Sequence, residues 1–270
     1  MTDLENRNYP NIGQSFGILG IVILAAILAS TLFLLNKFID IEALQLIYYL
    51  LTFGTSFWIV YSIRKRKTGL STFNLKIENK RMIPFIVVAA IALLFGIISP
   101  ISDLIPMPEF FKNAILNMAK QSGFFSFLLM VIAAPIFEEL IFRGIILDGL
   151  LKKYSPVTSI LISSILFGLA HLNPWQFVAG FVIGIFSGWI YYKSRSLSLV
   201  IIIHAAVNLT GYLMRYFGDF DSSSMNKTLV ESYGGILNYI LVIVVSILAV
   251  FSCVYYLDKE FKKNEINASL

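Results

Sequence analysis

Eight apolar stretches, six of them near the length of a membrane-crossing helix, limit what this chain can fold into more than any other feature. They run Phe16–Leu35, Ala43–Ile63, Met82–Ile98, Phe124–Leu147, Val157–Leu172, Phe177–Tyr192, Leu197–Met214 and Ile236–Leu257. A helix needs about 20 residues to cross about 30 Å of hydrocarbon. Lipid offers the backbone no hydrogen-bond partners, so only helices and closed barrels span it, and runs of this length select helices. The 270 residues are 57% hydrophobic and 14% charged, where soluble domains average about 45–50% and about 25%. The expected fold is all-α, a polytopic membrane helix bundle with about eight transmembrane helices. Residues 1–270 read as a single integral membrane domain whose motif-bearing core is about Phe124–Met214.

The basic residues set the expected orientation. With the N-terminus inside, sixteen of the 21 Lys and Arg fall in cytoplasmic segments and five outside. The positive-inside rule therefore predicts both termini in the cytoplasm of a plasma membrane protein. The net charge of +5 lies in short loops such as Arg64–Arg81. These read as anchors to anionic lipid, so no nucleic-acid partner is expected. The first run is too long for a signal-peptide core and reads as a retained helix. Cys253, the single cysteine, excludes an intrachain disulfide and reads as a small buried or lipid-facing residue. Between Ile101 and Gly123, Phe110, Phe111, Ala114, Ile115 and Met118 recur at spacings of three and four. That pattern fits either a short amphipathic helix on the outer surface or an ordinary loop. Gly218–Tyr233 is polar and reads as an exposed loop.

Against this background three polar constellations stand out. The first is Glu138-Glu139-x-x-x-Arg143, inside the fourth run. Each such charge costs about 2.5–3.5 kcal/mol at the centre of a membrane helix on insertion scales, which makes intramembrane ionisable residues functional candidates. Glu139 and Arg143 are i and i+4, in the favourable order for an ion pair. Glu138 then points about 100° away and is left without a local partner, as suits a general base that takes a proton from water.

The second constellation is Phe167-x-x-x-His171, at the end of the fifth run. Asn173-Pro174 closes this helix. The fifth and sixth runs hold about 16 residues each, roughly 24 Å of helix, so the tip of this hairpin is expected to be recessed into the membrane. Full-length spans would separate His171 from Glu138 by about 12 Å in depth; their meeting requires that recess or a shifted fourth helix. The third constellation is His204-x-x-x-Asn208 on the seventh run, two side chains on one helix face. They could supply donors to an oxyanion or simply hydrogen bonds between helices. The sixth run carries Gly180, Gly184 and Gly188, a four-residue ladder that lets a neighbouring backbone come close.

Glu138-Glu139-x-x-x-Arg143, Phe167-x-x-x-His171 and His204-x-x-x-Asn208, in this order on membrane helices, resemble the CPBP family. These are the Abi and type II CAAX prenyl endopeptidases, which are intramembrane proteases. The resemblance covers about Phe124–Met214 and implies hydrolysis of a peptide bond in a membrane-presented peptide or protein. It implies Glu138 as general base, His171 as its partner on the water, and His204 with Asn208 as the oxyanion pair. Glu139, Arg143 and Phe167 would be supporting residues. Bacterial members are linked to peptide processing and bacteriocin self-immunity, and the Ile-, Leu-, Lys- and Asn-rich composition reads as bacterial. No cofactor is expected. A divalent metal such as zinc on Glu138, His171 and His204 is the alternative, since two histidines and a carboxylate can leave a position open for water. The common His-Glu-x-x-His zinc spacing is absent from the sequence. The rival functions are a transporter using these residues as a proton relay, against which no internal repeat is found, and a non-catalytic membrane scaffold.

Overall fold

The structure, a computed structural model, describes residues 8–218 and 227–269. Its regular elements are all helical. We label them α1 Ile12–Leu35, α2 Ile41–Thr68, α3 Lys80–Asp103, α4 Glu109–Ala119, α5 Phe124–Leu150, α6 Pro156–Leu169, α7 Pro174–Ser194, α8 Leu197–Phe217, α9 Leu229–Ser232 and α10 Ile236–Ser269. Seven of them are long and apolar enough to cross a membrane: α1, α2, α3, α5, α7, α8 and α10. The protein is a multi-pass membrane protein.

Two spans differ from the sequence reading. α6 ends at Leu169 after 14 residues, about 21 Å, so His171 lies in the turn beyond it. α7 has 21 residues rather than about 16. Its added first turn is Pro174-Trp175-Gln176, where Pro174 supplies the fixed φ favoured at a helix start. The Asn173 side chain accepts from Gln176 N–H at 2.9 Å. Only the fifth span is short. The Ile101–Gly123 segment forms a helix over Glu109–Ala119 with Phe110 and Met118 exposed. Of the expected loop Gly218–Tyr233, residues 219–226 lie outside the described residues, and Leu229–Ser232 is a short helix capped by Thr228 and Glu231.

The chain divides into two compact units: residues 1–76 with 123–205, and residues 77–122 with 206–270. In the second, α3 packs along α10. Gly96 makes this possible, since a Cβ there would lie 2.7 Å from the Ser246 Cβ. Phe85 stacks on Tyr256 at 4.0 Å.

The first unit contains α1, α2, α5, α6, α7 and the start of α8. Its core gathers Ile18, Val22, Val60, Ile141, Ile145 and Leu166. The C-terminal ends of α2, α5 and α7 meet around Asp148, which lies 2.9 Å from Lys152, 3.6 Å from Arg195 and 3.8 Å from Arg64. Basic segments assigned to one side by the sequence thus share an end of this unit. α5 widens into i→i+5 turns at Leu128–Ala133 and Phe142–Leu147. Pro135, which brings no N–H to the ladder, follows the first of these. At the second, the Phe142 carbonyl accepts from the Ser163 hydroxyl of α6 at 2.9 Å. Such widened turns concentrate at functional sites.

α6 and α7 are seated against each other along the glycine ladder. A Cβ on Gly180 would lie 3.0 Å from the Gly168 Cα, one on Gly184 2.9 Å from the Ser164 Cβ, and one on Gly188 3.0 Å from Ile160 Cγ2. Gly184→Leu should therefore force the pair apart and destabilise by at least the ~1–3 kcal/mol of an overpacked interior. Gly20→Ala, with nothing within 4 Å of its added Cβ, should leave thermal unfolding in detergent unchanged. Equal melting of the two variants would disprove the close seating.

Candidate active site

The site is built outward from α5. Its Glu139 and Arg143 side chains are fully buried and pair at 2.9 Å, the contact their i,i+4 spacing allows. The second terminal nitrogen of the guanidinium donates to Ser187 Oγ of α7 at 2.7 Å. The flat face of Arg143 lies over the Phe167 ring of α6 at 4.4 Å. This buried cation is thus held by a carboxylate, a hydroxyl and an aromatic face, from three helices of the first unit. A charge at this depth requires such partners.

Glu139 has a second donor. Its Oε1 lies 3.0 Å from His204 Nδ1 of α8. A carboxylate oxygen only accepts, so the ring hydrogen belongs on Nδ1 and the opposite nitrogen, Nε2, points away. Nε2 lies 3.8 Å from Glu138 Oε2. One imidazole therefore stands between the two adjacent carboxylates, bonded to one and facing the other.

Glu138 is 7% exposed. The Tyr49 hydroxyl of α2 donates to its Oε1 at 2.9 Å. Its Oε2 has no hydrogen-bond partner among the described residues. An oxygen placed about 2.8 Å from each of two groups bridges a gap of 3.8 Å without strain.

His171, half-buried, lies in the turn after α6. Its Nδ1 is 3.0 Å from the Phe167 carbonyl; a carbonyl accepts, so Nδ1 carries the hydrogen and Nε2 is turned outward. Asn173 holds the turn, donating to the His171 carbonyl at 2.9 Å. Leu172 closes it in the left-handed region at φ 56°. The Phe167 ring packs edge-on against both imidazoles, 5.3 Å from His171 and 5.5 Å from His204. Both histidines of the chain are thereby gathered at one aromatic ring, which the short α6 carries. An apolar groove of about 270 Å³ lies at the same hairpin, lined by Gly168, Leu169, Leu172, Asn173, Pro174 and Phe177.

The structure thus brings together Glu138, Glu139, Arg143, Phe167, His171 and His204. Asn208 follows one helical turn after His204 on α8, in the part of that helix belonging to the second unit. Two participants had no sequence signal. Tyr49 sits in a Tyr48-Tyr49 pair that reads as an interfacial aromatic belt, and Ser187 hides beside the glycine ladder. Among the described residues, no three His, Cys, Asp or Glu side chains are grouped to hold a metal ion.

Residues 120–210, which include every one of these side chains except that of Tyr49, match the family model described as type II CAAX prenyl endopeptidase Rce1-like. No curated protein and no solved structure matches the chain. Two adjacent carboxylates, an arginine paired with the second, and two histidines, one on α8 and one in the turn after α6, all lie within this matched third of the chain, which is similar to the Rce1-like type II CAAX prenyl endopeptidases.

Proposed function

We propose that the protein is an intramembrane endopeptidase in which Glu138 activates a water molecule against the peptide bond of a membrane-presented peptide or protein. The observation that carries this reading is the Glu138 carboxylate: buried, with one oxygen bound by Tyr49 and the other, unbonded, 3.8 Å from His204 Nε2. A water between Oε2 and Nε2 would have two acceptors for its protons and an oxygen lone pair left to attack.

Glu138 takes a proton as the water oxygen bonds to the scissile carbonyl carbon. The C–N bond then breaks, and the departing amine receives that proton from Glu138. The 2.9 Å and 3.0 Å contacts of Glu139 with Arg143 and His204 support a different task for the second carboxylate. It holds the His204 ring in one tautomer and orientation, as a carboxylate does beside a catalytic imidazole. The approach of His204 to Glu138 supports giving this histidine to the water rather than to the oxyanion. His171, at the same Phe167 ring, is then the histidine left for the developing negative charge, and the family resemblance alone assigns the Asn208 amide to that charge. Such donors contribute about 2.7–4 kcal/mol each when pre-positioned.

We further propose a bacterial plasma-membrane protein with both termini cytoplasmic, acting in peptide processing of the kind that includes bacteriocin self-immunity. The test uses proteoliposomes and a library of prenylated and non-prenylated membrane-anchored peptides. Wild type should cleave at least one member, and neither Glu138→Ala nor His171→Ala should. Cleavage by both variants at the wild-type rate would defeat the assignment. Solute flux without any proteolysis would instead favour a transporter.

A further inference from the structure

The Tyr49–Glu138 contact lies outside the segment that matches the family. α2 contributes nothing to residues 120–210, yet its Tyr49 makes the single hydrogen bond that the Glu138 side chain has among the described residues. The terminal torsion of a glutamate is broad and roughly two-fold, so a carboxylate without a partner swings about that bond. Here the swing matters, because the proposed water sits against one particular oxygen.

We propose that Tyr49 is a positioning residue for Glu138: by donating to Oε1 it fixes the carboxylate plane with Oε2 turned toward His204. This rests on the reading of Glu138 as the base. The phenol is itself held. The Tyr49 ring stacks on Phe53 at 4.6 Å and 14°, and Phe53 lies in the widened turn Leu50–Gly54 that follows Tyr49 directly. The hydroxyl is aimed from a helix that carries no other member of the site.

Tyr49→Phe retains the ring and its stack and removes only the hydroxyl. On the library peptide that wild type cleaves best, its kcat should fall about 10- to 100-fold with KM within about two-fold, the signature of lost alignment. Tyr48→Phe removes the neighbouring hydroxyl, on a ring that pairs with Phe33 at 5.2 Å, and should keep kcat within about three-fold. A second readout needs no turnover. In infrared difference spectra, the carboxylate stretch identified by its loss in Glu138→Gln should shift in Tyr49→Phe and stay in place in Tyr48→Phe. A wild-type kcat in Tyr49→Phe, a rise in KM alone, an equal loss in Tyr48→Phe, or an unmoved band would each overturn the assignment. The two failures are separable. Wild-type turnover in Glu138→Gln removes the base itself, whereas an inactive Glu138→Gln beside a fully active Tyr49→Phe removes only the role of Tyr49. The band shift decides the matter even where no library peptide is cleaved.

Discussion

Glu138→Ala is expected to lower kcat by about 10²–10⁴-fold, the usual contribution of a positioned general base, with a smaller loss of stability than substitution of Glu139 causes. The two effects separate because of what each carboxylate touches. Glu138 has one hydrogen bond, from Tyr49. Its removal strands a single phenol, at a cost of about 1–3 kcal/mol if the hydroxyl stays unsatisfied. Glu139 is bonded to both Arg143 and His204. Glu139→Gln should therefore reduce activity and stability together, since it leaves Arg143 buried without a counter-charge and releases the His204 ring. The check is kcat in proteoliposomes beside thermal unfolding in detergent for both variants. A Glu138→Ala protein that melts as early as Glu139→Gln would mean the two residues share one structural task, and the division of labour between them would be wrong.

The largest stability effect should come from Arg143→Leu. Arg143 is fully buried and holds Glu139, Ser187 and the face of Phe167. Removing one member of a buried ion pair leaves an uncompensated charge, which costs about 3–5 kcal/mol. The melting temperature should drop by about 6–20 °C at the usual sensitivity for chains of this size. Arg143→Lys should recover only part of the loss, because an ammonium lacks the planar fork that reaches Glu139 and Ser187 at once and the flat face that lies over Phe167. Glu139→Leu combined with Arg143→Leu should melt higher than Arg143→Leu alone, since no charge then remains unpaired. A double variant no more stable than the single one would show that the ion pair is not what Arg143 supports.

Local pattern carried much of this architecture. Apolar runs located the spans because a helix in lipid must be long and uninterrupted, and that property is written residue by residue. Glu139 and Arg143 were legible as a pair because four residues of helix bring them to one face whatever surrounds them. The ladder at Gly180, Gly184 and Gly188 was legible for the same reason, and Gly168 and Ser164 fill the space its missing side chains leave. α7 is longer than its apolar run because Pro174, Trp175 and Gln176 interrupt the run without interrupting the helix. Asn173 and Pro174 start that helix, and capping depends on donors and φ rather than on hydropathy.

The sequence by itself determined that the chain crosses a membrane as helices, which residues are too costly to sit there without purpose, and which neighbours along one helix can meet. Tertiary structure alone decided that His204 bonds Glu139 while facing Glu138, that Ser187 completes the hold on Arg143, that Phe167 gathers both histidines, and that Tyr49 reaches Glu138 from 89 residues away in sequence. The reason is physical. Spacing along a helix fixes which side chains share a face, but the rotation and depth of each helix are set by packing against the others, and those contacts leave no period in the sequence.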